Sequence, residues 1–192
     1  MSENDGISVV VFWTGATAYM AACWRALAAR PGLRLSLFVE LAQDGTTSYL
    51  HEDILSGLDC CWRKACDPLD RRALRREIKA RQPDVFMVLG WRSSLCRFAA
   101  TDRTFKNVPK IFAFDMTFAF TLRKLAAPWV LRHYLKRFYG AAVTGERSAF
   151  YAGYLGFPDT RIWRGLIGLD TELYAGAYAA RRQLHGWPRK FL

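Results

Sequence analysis

Apolar and polar positions change period several times along the chain, and each change marks an element. Ile7 to Trp13 is an unbroken apolar run rich in valine, the pattern of a strand buried on both faces. After the small polar turn Thr14-Gly15-Ala16-Thr17, apolar residues recur at Met20, Cys23, Trp24, Leu27 and Ala28, so the spacing predicts a helix that packs back on that strand. Leu33 to Leu41 follows Pro31-Gly32 and reads as a second strand, and Leu58 to Trp62 as a short third one. Between them Ala42 to Gly57 is polar and turn-rich, with Asp44-Gly45 as a breaker.

Asp67-Pro68 is expected to open a helix over Leu69 to Arg81, with aspartate as N-cap and proline in the first turn. That helix carries Arg71, Arg72, Arg75, Arg76, Lys79 and Arg81 against Glu77. Further strands are expected at Val85–Leu89, Lys110–Phe114, Gly140–Thr144 and Arg161–Ile167. A helix follows Ser93, a long one runs from Phe120 to Tyr139 with a kink near Pro128, and another covers Glu146 to Gly156. Strands and helices alternating at this spacing predict an α/β fold: a Rossmann-like, doubly wound parallel sheet with Ile7 to Trp13 central.

Composition narrows the partners. In 192 residues the net charge is +11, and 52% of positions are hydrophobic. A core of ordinary size is therefore available, and the cation excess favours nucleic acid, anionic lipid or phosphorylated substrates; it is equally what a solvated basic surface looks like. The five cysteines form no C-x-x-C and no zinc spacing, so no metal site is expected and a reducing cytoplasm is the expected compartment. Met1 to Gly6 is acidic, unlike a signal peptide. No stretch approaches the ~18 apolar residues of a spanning helix.

The loop after the first strand is where chemistry is expected. A helix N-terminus at a strand's carboxyl end offers free N–H groups and partial positive charge to an anion. Thr14, Gly15 and Ala16 would form such a phosphate loop, or simply the first turn of any α/β domain. A nicotinamide site would require G-x-G-x-x-G here; the loop reads T-G-A-T-A-Y, and Glu40 alone after the second strand does not supply the rest. No nucleic-acid module is recognisable, so no specific nucleic-acid partner is expected.

Four places resemble the amino-terminal half of family 4 of the retaining glycosyltransferases, enzymes of the two-domain GT-B fold. They are Trp13-Thr14-Gly15-Ala16; Pro83-Asp84-Val85 running into Gly90-Trp91-Arg92; Val108 to Asp115; and Ala142-Val143-Thr144-Gly145-Glu146 followed by Tyr154 to Pro158, Arg161-Ile162, Gly168-Leu169-Asp170-Thr171 and Arg181-Arg182. The resemblance implies a Rossmann-like domain over 1–168. It makes 169–192 an interdomain linker and the start of a carboxy-terminal domain that the chain does not contain.

It further implies sugar transfer from a nucleotide-sugar co-substrate to a glycan or glycolipid acceptor, with no cofactor, no metal and no activity from this half alone. By that resemblance Thr14, Gly15 and Ala16 approach the donor phosphate, and Asp115, the candidate catalytic residue, faces the reacting sugar. Trp91 and Arg92 face the acceptor, while Glu146 and Arg147 edge the cleft. Helix capping is the competing reading for Asp115, a structural turn for Trp91 and Arg92, and capping with surface pairing for Glu146 and Arg147.

The partner implied is the carboxy-terminal domain or a complementary subunit; a free-standing binding module completed in trans by a second polypeptide reads equally well from these residues. The chain departs from the family pattern at Gly15-Ala16, where many members have two glycines, so a positive φ at the second position would be strained. Finally, Phe120 to Tyr139 interleaves cations with Leu131, Tyr134, Leu135 and Phe138, and Leu122, Leu125 and Trp129 precede them. Such a helix suits an anionic membrane surface, on the inner face of the membrane, or alternatively packs on the sheet with its cations wet.

Overall fold

A computed structural model describes residues 6–41, 52–65 and 68–168, together with 171, 175, 176 and 178–181. The expected cap at Asp67 and most of the expected linker at 169–192 lie outside the described residues. The strands are β1 (Ile7–Thr14), β2 (Leu33–Leu41), β3 (Cys60–Lys64), β4 (Val85–Leu89), β5 (Lys110–Phe114), β6 (Gly140–Val143) and β7 (Ile162–Arg164). All pair in parallel, in the order β3-β2-β1-β4-β5-β6-β7. The helices are α1 (Ala18–Ala28), α2 (Arg71–Ala80), α3 (Ser94–Thr101), α4 (Leu122–Val130), α5 (Arg132–Leu135) and α6 (Glu146–Tyr154).

The unbroken apolar run of β1 serves two cores at once, because successive side chains leave a strand on opposite faces. Val10 and Phe12 enter the core under α2, α3 and α6, whereas Val9, Val11 and Trp13 enter the one under α1. Phe12 packs between Phe38 and Phe86 at ring-centroid distances of 5.4 and 5.0 Å. On the other face Trp13 meets Trp24 of α1 edge-on at 5.9 Å. The segment after β7 returns across the sheet, since Leu166 and Ile167 pack on the α1 side and the Gly168 N–H lies 3.3 Å from the Cys23 sulfur.

Three expectations are corrected. The basic helix begins later than expected: Asp70 is its N-cap, its carboxylate accepting from the Arg72 and Ala73 N–H groups at 2.9 and 3.0 Å. The third strand is Cys60–Lys64 rather than Leu58–Trp62, set by its register against Leu37–Leu41. The long helix expected over Phe120 to Tyr139 is two helices. Thr121 caps α4, and Leu131, at φ −92° and ψ 0°, breaks the chain from α5 three residues after Pro128. The two parts turn their apolar residues in opposite directions: Leu135 and Phe138 are buried, whereas Leu122 and Trp129 are exposed.

Candidate functional site

The strand order reverses between β1 and β4, and in open α/β sheets a crevice forms outside the carboxyl ends at such a point. Two adjoining cavities lie there. One, of about 150 Å³, is bounded by Thr14 after β1, Gly90, Trp91 and Arg92 after β4, and Asp115 after β5. The other, of about 280 Å³, is bounded by Gly15, Thr17, Tyr19 and Ile167. Thr14, Leu89 and Asp115 border both. Residues a hundred positions apart thus share one mouth, as the topology requires.

The loop after β1 takes a form the sequence did not disclose. Gly15 occupies the left-handed region at φ +73° and Ala16 does not, so the strain expected at the second loop position does not arise. The Gly15 N–H is not free, because it donates to the Glu40 carbonyl at 2.9 Å. The Ala16 side chain is buried. Thr17, the N-cap of α1, borders the larger of the two cavities. Its φ of −111° and ψ of 155° are extended, and its side chain makes no capping bond. Its buried Oγ1 has no hydrogen-bond partner among the described residues. A buried hydroxyl at the N-cap of an eleven-residue helix is thus left unsatisfied, and a helix N-terminus has the polarity that suits an anion. A threonine one residue ahead of an apolar-periodic run was the available sequence signal.

Across the mouth, Trp91 is half-buried and stacks on Phe112 at 5.9 Å with 19° between the rings. The strand–loop junction beneath it is fixed by Gly90, at φ +59°, and by the Tyr134 hydroxyl, which donates to the Gly90 carbonyl at 2.8 Å. Ser93 caps α3 through the Leu95 and Cys96 N–H groups, which leaves Arg92 exposed at the rim. Asp115 is exposed and caps no helix of the described residues; the next helix is capped by Thr121. Glu146 and Arg147 start α6 but border neither cavity, and Glu146 is bound to the Arg164 guanidinium at 2.7 Å.

Several polar groups nearby are already committed. The buried Glu40 carboxylate, at the carboxyl end of β2, accepts from Arg63 at 2.9 Å and from the Ser94 hydroxyl at 3.2 Å. Where a dinucleotide-binding sheet would present an acidic group to a ribose, this chain holds it in an ion pair. Burial pushes the Cys60 thiol up to about 11 and the Cys96 thiol up to about 12, so neither is a thiolate near neutral pH. A groove of about 410 Å³ between α2 and α3 is larger, but it lies on the flank, bordered by Arg71, Arg97 and the Arg75–Asp102 pair. Among the described residues no group of three or more metal-ligating side chains converges.

No family model matches the chain, and no curated protein matches it in sequence. Solved structures do match. A UDP-GlcNAc 2-epimerase from Neisseria meningitidis, bound to UDP-GlcNAc, superposes with a TM-score of 0.60 at 11% identity, over 94% of this chain and 51% of that one. The Anabaena protein HepE in complex with UDP gives 0.56 at 14% identity, over 92% and 50%. A UDP co-structure of MnaA from S. aureus gives 0.54 at 14%, over 81% and 44%. The chain spans about half the length of the structures it matches. At these identities the likeness shows the fold: this chain is a Rossmann-like α/β domain of the kind that forms one half of a GT-B-type protein.

Proposed function

We propose that the chain is the acceptor-side half of a glycosyltransferase that moves a sugar from a nucleotide-sugar donor to a glycan or lipid-linked acceptor. The observation that carries the reading is the unpartnered Thr17 hydroxyl at the α1 N-terminus, sharing a cavity mouth with Asp115 and next to Trp91. In such a transfer the bond from the sugar's anomeric carbon to the donor phosphate breaks and a bond to an acceptor oxygen forms. Charge grows on the departing pyrophosphate, whose oxygen takes up the proton that the acceptor hydroxyl gives up.

The α1 N-terminus and Thr17 would stabilise that charge by oriented dipoles. Asp115, an acceptor-only carboxylate, would hold hydroxyls of the sugar, while Trp91 offers an apolar plane and Arg92 a cation to the acceptor. The other half of the cleft would come from a second domain or subunit, consistent with the half-length match to proteins whose structures contain UDP or UDP-GlcNAc.

The test begins with this chain alone. Titration with UDP and a panel of nucleotide sugars should show at most weak binding and no turnover; tight binding or transfer without a second half sinks the proposal. In the chain completed by its second half, Asp115→Ala should lower transfer while the melting temperature stays unchanged. Equal rates would return Asp115 to an ordinary loop residue. Product analysis for sugar transferred, as against sugar epimerised on the nucleotide, separates this activity from that of the epimerase whose fold it shares.

A further inference from the structure

A surface helix ordinarily buries its apolar stripe and wets its polar one. In α4 the apolar stripe is on the solvent side. Leu122, Trp129 and Val130 stand at i, i+7 and i+8, one face of a helix, and are 87%, 77% and 76% exposed. The opposite face, through Ala127, enters the core, and Lys124 is turned inward, its ammonium 5.7 Å from the Tyr151 ring and bonded to the Thr117 carbonyl. The exposed stripe continues onto α6. Phe118 contacts both Phe120 and Phe150 at 5.1 and 5.8 Å between ring centroids, and these two are 89% and 66% exposed. Contiguous apolar surface of this kind marks a docking site.

Cations fringe it. Arg123 flanks the stripe on α4, Arg147 sits one turn before Phe150 on α6, and both are exposed and outside every ion pair of the described residues. Beyond Val130 lies a groove of about 320 Å³ bordered by Pro128, Arg132, Lys136 and Arg161. Large apolar side chains beside a cationic groove match a phospholipid with an anionic headgroup: acyl chains for the stripe, phosphate for the groove.

We infer that the α4–α6 flank, led by Leu122, Trp129, Val130, Phe120 and Phe150, docks this domain onto an anionic lipid surface. The second half that the proposed function calls for is a poorer occupant. It would abut the carboxyl ends of the strands, whereas Val130 lies eight residues, about 12 Å of helix, from Leu122. There Pro128 shares a groove with Tyr139, which immediately precedes β6. The docking face therefore runs down the flank of the sheet. It would hold the mouth beside an acceptor embedded in that surface, but it rests on no part of the cleft reading.

The experiment is co-sedimentation of the full chain with phosphatidylcholine vesicles and with vesicles of phosphatidylcholine and phosphatidylglycerol, at low and high salt. Binding to the mixed vesicles, weakened by salt, is expected. Leu122→Ser/Trp129→Ser/Val130→Ser should reduce it about a hundredfold or more, because three large side chains lose their apolar burial. Arg132→Glu/Lys136→Glu should reduce it by at least about fivefold per residue. Trp129→Phe, with a retained apolar ring, should bind nearly as well as the parent, and all variants should keep the parent's circular dichroism because the sites are exposed. Absence of vesicle binding, equal binding to both vesicle types, or binding that the triple variant leaves intact would each overturn the inference. So would a lipid-free dimer that the triple variant dissociates, since the occupant would then be a second copy. Neither nucleotide nor sugar enters this assay, so its failure leaves the proposed transfer untouched.

Discussion

Replacing Thr17 with valine should make the domain more stable and its anion binding worse. The two side chains have the same shape, and an extended backbone at φ −111°, ψ 155° suits a β-branched residue. Removing an N-cap hydroxyl ordinarily costs about 1 kcal/mol, but here the side chain makes no capping bond to lose. What disappears is a buried hydroxyl without a partner, whose burial costs ~1–3 kcal/mol. Taking the low end, Thr17→Val should gain about 1 kcal/mol, or about 2–4 °C in melting temperature for a domain of this size.

The same change removes one donor to a charged oxygen, worth ~1.5 kcal/mol, so affinity for inorganic pyrophosphate or UDP should fall by about tenfold. Thermal melting without ligand, and with pyrophosphate in excess, reads both effects. A parent protein that melts several degrees above the variant in the absence of ligand would refute the reasoning, because the hydroxyl would then be satisfied. Equal ligand-induced shifts in the two proteins would refute its role in binding.

Two further outcomes follow from packing and charge. A Cβ on Gly140 would fall 2.5 Å from the Arg161 carbonyl oxygen and 2.6 Å from the Trp163 ring; Gly140→Ala should therefore cost ~1–3 kcal/mol through a displaced β6–β7 edge, and an unchanged melting temperature would contradict that contact. Burial pushes the Asp102 carboxyl up, but the Arg75 guanidinium and Thr104 pull it further the other way, leaving it below its ordinary value. Such a group adds stability above its unfolded pKa and loses it as pH falls through the folded one. Asp102→Asn should therefore be less stable than the parent at neutral pH, and urea midpoints should show that gap closing from about pH 4 downward; a gap independent of pH would refute the pairing.

The parallel sheet was readable because β1 and β4 are apolar runs and β2 and β5 are rich in apolar residues, all bounded by clear turn signals, and all four match their expected spans closely. β3 was misplaced because an edge strand with Trp62 exposed and Cys61 half-buried shows little periodicity of its own. Its register comes from β2. The break at Leu131 was hidden for a related reason: Leu122 and Trp129 look like a continuation of the stripe at Leu131, Tyr134, Leu135 and Phe138 until the backbone turns between them. The shared mouth of Thr14, Trp91 and Asp115 followed from topology alone. Which N–H groups are free at that mouth did not, because the Gly15 N–H is claimed by a residue of a neighbouring strand, Glu40. A one-dimensional pattern cannot show a bond made in the third dimension.

The strand order also carries a consequence for how the chain reaches this state on the ribosome. Synthesis supplies β1, β2 and β3 first, and these build outward in one direction only. The other edge of β1, through Val9 to Phe12, stays open until Val85 to Val88 emerge more than seventy residues later. For that interval the long apolar run of β1 presents an unpaired edge, the geometry that recruits strands from other chains. Closure by β4 is a long-range event and hence intrinsically slow. The stretch between Leu41 and Val85, with its turn-rich segment and the arginines of α2, is thus also the waiting time of the nascent chain. Shortening or slowing translation there would change yield before it changed any property of the finished fold.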